Sequence, residues 1–278
     1  MTFSMMVQAA YDFWRGKDYS LKEYVICDGR RHPFALICPG GGYEMVCSFV
    51  EGAPYAKKLN ELGYSAFVLY YRCGKKAAFP APQDDLAKAL RSVLSRADEL
   101  SLETENYSLW GSSAGGHLAA AFGTEKIGSA KYSLPKPGAI ILSYPVITMG
   151  ELTHEGSRKN LLGEVPTEEM VRLTSIEYQV TVEYPPTFLW CGSADRTVDP
   201  ENSRMMAKAL QENGVTYQFI EYPAVDHGVG LGTGLSCEPW FLDAVSFWER
   251  QRTGEKKRSV RDESDQFENR ILEKSSWN

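Results

Sequence analysis

Residues 106–121 read "NYSLWGSSAGGHLAAA", an apolar run, two adjacent serines in a glycine frame, and an alanine-rich run. The first run predicts a strand, the last a helix, and the glycines a very tight turn between them. A nucleophile elbow has this order. Its serine is held in a strained backbone conformation, and the residues two before and two after must be tiny because strand and helix nearly collide there. Ser112 would have Trp110 and Ala114 at those positions, and an indole does not fit. Ser113 has Gly111 and Gly115, completing G-x-S-x-G, so Ser113 is the candidate nucleophile. The competing readings are a glycine turn with a serine N-cap and a phosphate cradle. Against the cradle, no Lys-Ser/Thr pair follows and G-x-G-x-x-G is absent.

A serine hydroxyl is a poor nucleophile without a base, normally His, oriented by a carboxylate. Behind an elbow of this kind the partners follow in the order Ser, acid, His. Of the four histidines, His32 precedes Ser113 and His117 lies one helical turn after it, before any acid. His117 reads as a packed or hydrogen-bonded helix residue. His154 precedes the best acids and reads as a surface loop residue or a substrate contact. His227, in "YPAVDHGVGLGTG" directly after the last apolar strand, is the candidate base.

Three aspartates lie between Ser113 and His227. Asp226 abuts the histidine and is badly placed to orient its ring. Asp199 precedes Pro200, a natural first helical residue, and reads as an N-cap. Asp195, just past "TFLWC", is the candidate acid, with Asp199 in reserve. The oxyanion needs backbone N–H donors. One is the amide of Ala114, and the other is expected from the glycine run of "FALICPGGGYEM", whose backbone can approach a substrate closely.

Strand candidates are "EYVIC" (23–27), "FALIC" (34–38), "AFVLYY" (66–71), "YSLW" (107–110), "AIILSY" (139–144), "TFLWC" (187–191) and "YQFIEY" (217–222). Most are continuously apolar, as in strands covered on both faces. Helical patterns run from after Glu51 with a stop at Gly63, from Pro82 to Leu100, from Pro200 to Asn213 with a stop at Gly214, and from Pro239 to about Arg250. The alternation predicts an α/β fold with a mostly parallel sheet and helices on both faces. Residues 1–252 are expected to form one domain, with 148–184 a long connection able to cover a site. The polar tail 253–278 reads as an appended flexible or loosely docked helix, with an oligomer contact as the alternative.

A hydrophobic fraction of 43% and a charged fraction of 24% are those of a globular enzyme, and the formal charge of −6 argues against a nucleic-acid footprint, which needs a basic face. The N-terminus lacks a basic segment followed by an apolar core, and no run approaches the roughly 18 apolar residues of a membrane span. The six scattered cysteines form no C-x-x-C pair and read as reduced, buried thiols of a cytoplasmic protein.

The segments "CPGGGY" (38–43), "GSSAGGHLAA" (111–120), "LSYPVI" (142–147), "HEGSRKNLLG" (154–163), "PPTFLWCGSADRTVDPENS" (185–203) and "DHG" (226–228) carry a family resemblance. Over about residues 22–250 the chain resembles the α/β-hydrolase superfamily. Within it, it is similar to the carboxylesterase branch related to hormone-sensitive lipase and to acetylxylan esterase-like hydrolases. The resemblance implies an α/β-hydrolase fold, a Ser113–Asp195–His227 triad, and an oxyanion site of Gly40 or Gly41 with Ala114. Pro39 stands where the lipase-like pattern has His, which suits the sugar-ester relatives better. The implied activity is hydrolysis of a small-molecule ester with a short acyl group, acetyl above all, without metal or cofactor. Amide or peptide hydrolysis and a non-catalytic ligand-binding role are the rivals. Tyr43, His154 and Trp240 are candidates to line the pocket.

Overall fold

The computed structural model describes residues 18–254. The apolar runs become β1 (Ser20–Tyr24), β2 (His32–Cys38), β3 (Ser65–Tyr70), β4 (Leu102–Ser112), β5 (Ala139–Ser143), β6 (Thr187–Gly192) and β7 (Tyr217–Tyr222). They form one sheet in the order β1-β3-β2-β4-β5-β6-β7. Strand β1 is antiparallel to β3, and every other pairing is parallel. This is the mostly parallel sheet of the α/β-hydrolase fold. The polar tail expected at 253–278 falls, from residue 255 on, outside the described residues.

Helices α1 (Ser48–Glu51), α2 (Ala53–Glu61), α3 (Ala81–Ser95), α4 (Ser113–Phe122), α5 (Glu155–Leu162), α6 (Glu168–Thr174) and α7 (Glu201–Glu212) connect the strands, and α8 (Trp240–Thr253) follows β7. Strand periodicity sorts the core into two layers, because successive side chains leave opposite faces of the sheet. Phe34, Leu36, Leu109 and Leu142 pack with Leu86 and Leu90 of α3, Leu118 of α4 and Leu210 of α7. Ala35, Ile37, Trp110 and Ile141 face the other way, onto Tyr55 and Leu59 of α2 and Phe241, Phe247 and Trp248 of α8.

Three boundaries differ from expectation. Strand β1 lies earlier than 23–27, because its five pairs run from Ser20↔Tyr70 to Tyr24↔Ala66 and Ile26 N–H turns to Ser65 Oγ instead. Strand β4 starts at Leu102 and not Tyr107, its polar first half pairing with β2 through a register shift between Pro33 and Ala35. Helix α3 ends at Ser95, and the chain then folds back so that Leu102 N–H reaches Ala97 O.

Strand β4 runs directly into α4 at the elbow. A Cβ on Gly111 would overlap the Gly115 carbonyl oxygen and lie 2.8 Å from Ala119 Cβ, and one on Gly115 would overlap the carbonyl oxygens of Cys38 and Pro39. One turn further on, His117 is wholly buried. Its Nδ1 accepts the Tyr43 hydroxyl at 2.8 Å, and its Nε2–H donates to Thr174 O at 2.7 Å. It thereby ties α4 to the glycine loop and to α6.

Two stability measurements follow from this packing. Gly115→Ala should lose about 2 kcal/mol or more in urea unfolding, since the clash is with backbone that cannot step aside. Burial holds the His117 imidazole down at about 4, against the pull of its bond to Thr174. The unfolded chain therefore binds the extra proton first. The His117 contribution to stability is intact above about pH 6.5 and is lost as pH falls toward 4, with a slope of up to about 1.4 kcal/mol per pH unit. His117→Gln should be flatter over that window, and an unchanged slope would contradict the assignment.

Candidate active site

Ser113 is the first residue of α4 and has φ of +52°, the left-handed region that side chains other than glycine avoid. Its carbonyl accepts Val146 N–H at 3.0 Å, which fixes the turn against the end of β5. Ser112 behaves differently. It is extended (φ −118°, ψ 140°), and its Oγ points to Tyr55 Oη at 3.4 Å within the aromatic layer. The steric choice between the two serines thus corresponds to opposite faces of the sheet.

The loop after β7 brings His227 over the elbow. Its Nε2 lies 2.9 Å from Ser113 Oγ, and its Nδ1 lies 2.6 Å from Asp195 Oδ2. A carboxylate accepts only, so the Nδ1 proton faces Asp195 and Nε2 is left to accept the serine hydroxyl. Asp195 follows β6, and its side chain is fully buried. Its second oxygen accepts the N–H groups of Thr197 and Val198, both at 2.9 Å. Three donors thus compensate one buried charge, which makes Asp195 a fixed orienter of the ring.

The other acids are engaged elsewhere. Asp199 Oδ1 accepts Glu201 N–H at 2.9 Å at the start of α7. Asp226 Oδ1 accepts the backbone N–H groups of His227 and Arg196, and these bonds hold its carboxyl below the usual range.

The glycine loop lies beside the serine, and a Cβ on Gly40 would be 2.7 Å from Ser113 Cβ. Gly40 N–H, one of the two alternatives expected for the loop's oxyanion donor, is already spent. It donates to Glu51 Oε2 at 2.7 Å. Gly41 N–H and Ala114 N–H have no protein acceptor among the described residues. The first four N–H groups of a helix lack intrahelical partners, so Ala114 is open for that reason. Gly41, at φ of +124°, occupies backbone space that favours glycine.

A cleft of about 510 Å³ opens above Ser113 and His227. Gly41, Gly42, Glu44, Cys47, Val50 and Glu51 line one part, and His154, Gly156, Asn160 and Thr197 another. His154 heads α5, where its Nδ1 accepts Ser157 N–H at 3.2 Å. A backbone N–H only donates, so the neutral ring carries its proton on Nε2, which has no hydrogen-bond partner among the described residues. Burial, and then the charge of His227, lower the His154 pKa, and Asp195 opposes them. Asn160 Nδ2 donates to Gly42 O at 2.9 Å, anchoring α5 to the glycine loop.

Two expected lining residues are elsewhere. Tyr43 and Trp240 are completely buried. Tyr43 bonds His117 inside the core, and Trp240 Nε1–H donates to Gly230 O at 3.1 Å beneath the histidine loop. Both rings are large enough to repay full burial and each finds a partner for its polar atom, so they support the site's loops from below.

Sequence reasoning missed Glu51. It is 4% exposed, and its oxygens accept Gly40 N–H and, at 2.8 Å, the Tyr144 hydroxyl. Burial raises its pKa, opposed first by these two bonds and then by the charge of His227. One signal was available. Glu51, Tyr55 and Leu59 are spaced four residues apart on the stripe that the helices bury. Among the described residues no three His, Cys, Asp or Glu side chains converge as metal ligands.

Residues 29–210 match the BD-FAE family. The chain is 35% identical over 230 residues to endo-1,4-beta-xylanase B of Butyrivibrio fibrisolvens, covering 80% of this chain and 36% of that protein. It is 27% identical over 271 residues to the acetylxylan esterase of Xylanibacter ruminicola, covering 94% of this chain and 55% of that protein. It therefore spans little more than half, at most, of these two curated relatives. Among solved structures, the acetyl ester-xyloside bifunctional hydrolase of Caldicellulosiruptor lactoaceticus superposes with a TM-score of 0.76 at 35% identity, over 84% of this chain and 88% of that one. The sheet order, the strained serine and the match over most of the chain agree: this chain belongs to the BD-FAE family of α/β hydrolases.

Proposed function

We propose that this protein is a serine esterase that removes short acyl groups, acetyl foremost, from hydroxyls of sugars or xylo-oligosaccharides. The observation that carries the reading is the single line of hydrogen bonds from Asp195 through His227 to Ser113, at 2.6 and 2.9 Å. A nucleophile–base bond and a base–orienter bond of this length are what acyl transfer needs before substrate arrives.

His227 Nε2 takes the proton as Ser113 Oγ attacks the ester carbonyl. The carbonyl oxygen becomes an oxyanion within reach of the free N–H groups of Gly41 and Ala114, which stabilise it as its charge develops. Asp195 balances the imidazolium, which then protonates the departing alkoxide. The Ser113 acyl ester is hydrolysed by the reverse sequence, with water as nucleophile and His227 again as base. The Nε2–H of His154, unbonded among the described residues, supplies a neutral donor at the cleft wall, suited to a hydroxyl or ring oxygen of a polar leaving group.

The substrate class rests on relatives named for acetylxylan esterase and acetyl ester-xyloside hydrolase activities. His154, Thr197 and Glu44 place polar groups in the lining of a cleft whose surface is otherwise mostly apolar, which suits a short acyl group beside a polar leaving group.

The test is a hydrolysis panel of p-nitrophenyl acetate, butyrate and octanoate, p-nitroacetanilide and acetylated xylo-oligosaccharides, run on wild type, Ser113→Ala and Ser112→Ala. Acetate esters should be preferred to octanoate and to the anilide, with acetate released from the sugar. Ser113→Ala should lose about 10³-fold or more in turnover, while Ser112→Ala stays within about tenfold. An octanoate preference would overturn the acetyl assignment. Activity retained in Ser113→Ala and lost in Ser112→Ala would overturn the mechanism.

A further inference from the structure

Glycine lets the loop 40–42 approach the serine, but the same freedom leaves its peptide planes undefined unless something else holds them. Two consecutive planes are held, by different groups. In the Pro39–Gly40 peptide, the Tyr71 hydroxyl donates to Pro39 O at 2.6 Å and Gly40 N–H donates to Glu51 Oε2 at 2.7 Å. This plane is gripped at both ends. In the Gly40–Gly41 peptide, Gly40 O accepts Cys47 N–H at 2.9 Å. A trans peptide directs its C=O and N–H to opposite sides. Gly41 N–H therefore faces away from Cys47 and has no protein acceptor among the described residues, on a residue that lines the cleft over Ser113.

Glu51 also reaches the base side of the site. Its Oε1 accepts the Tyr144 hydroxyl at 2.8 Å, and Tyr144 Oη in turn accepts Gly230 N–H at 3.2 Å, three residues beyond His227. The Tyr144 ring packs edge-on to the His227 imidazole with centroids 4.7 Å apart. Tyr144 is itself pinned, at φ of +37°, by its N–H to Trp190 O at 2.7 Å. One buried acid thus links the loop of the oxyanion amides to the loop of the base. A buried carboxyl with no cation on it costs stability. Its two donors, one from the glycine loop and one that itself accepts from the histidine loop, give it a job that an apolar side chain of the same size cannot do.

We propose that Glu51 is a positioning residue of the esterase site: by accepting Gly40 N–H it fixes the Pro39–Gly40 plane, from which the chain enters the Gly40–Gly41 peptide whose N–H is offered to the oxyanion, and through Tyr144 it holds the histidine loop in register with the glycine loop. This rests on the serine-esterase reading above. Its effect should fall on the transition state, in which the oxyanion exists, and only weakly on ground-state binding.

Glu51→Gln keeps the volume but cannot accept both hydrogen bonds. The variant, Tyr144→Phe and the double variant are compared with wild type in three ways. A fluorophosphonate titrates active sites, its second-order labelling rate is recorded, and kcat and KM for p-nitrophenyl acetate are expressed per titrated site. Glu51→Gln should lower kcat and the labelling rate together, by about tenfold to hundredfold, with KM within about threefold. Tyr144→Phe should move both rates the same way. The double variant should lose less than the product of the single losses, because the two side chains act in one chain of bonds. A purely structural Glu51 gives a different result: fewer titratable sites, each turning over within about twofold of wild type, and that outcome overturns the proposal. Should Glu51→Gln fail to fold, Tyr144→Phe decides alone, and unchanged per-site rates overturn it. If the wild type labels but hydrolyses no ester, the esterase reading fails while the labelling rates still judge Glu51.

Discussion

Strand β4 and helix α4 meet at Gly111 and Gly115 with no room for a Cβ on either, and Gly115 in turn sits under the carbonyl oxygens that end β2. The chain can reverse in so little space only by placing the residue between them at positive φ, and that residue is Ser113, at +52°. Such strain persists only where surrounding structure over-determines it. Here the surroundings are the parallel neighbours of β4, with β2 on one side and β5 on the other. The same crowding sets Gly40 against Ser113, so the contact that strains this serine also delivers the glycine loop. Stability and site geometry at this edge have one cause.

Around that edge the parallel topology collects the remaining parts. Strands β2, β4, β5, β6 and β7 run the same way, so the loops that follow them converge. They carry the glycine run, Ser113, Tyr144, Asp195 and His227 respectively. Two buried carboxylates result, and the site treats them differently. Asp195 is saturated by His227 and two backbone N–H groups, so both of its oxygens are engaged. Glu51 receives one N–H and one phenol, from a different loop each. Its burial favours the neutral form more strongly than those bonds favour the anion.

How far the sequence could be read follows from the same physics. Steric exclusion is local, so Trp110 ruled out Ser112 from composition alone, and the two serines do face different ways. The capping habit of an aspartate before proline is equally local, and Asp199 is occupied at α7 as expected. What escaped was non-local. Nothing in "PGGG" says which amide is already bonded, because the acceptor of Gly40 lies eleven residues on. An aromatic beside a site looks the same in sequence whether its ring faces a cleft or a core, and Tyr43 and Trp240 face the core. The first half of β4 lacks an apolar pattern because it lies where the sheet is partly open, so only its inner half was legible.

The proposed esterase mechanism requires that Ser113 carry an acyl group during turnover. Rapid acid quenching of the protein with p-nitrophenyl acetate, followed by proteolysis and mass spectrometry, reads this directly. One acetyl group is expected, located on Ser113 Oγ, forming within the burst phase and disappearing as substrate is exhausted. Turnover with the acetyl on Ser112 or on Cys47 at the cleft wall, or with no acylated residue at all, would contradict it.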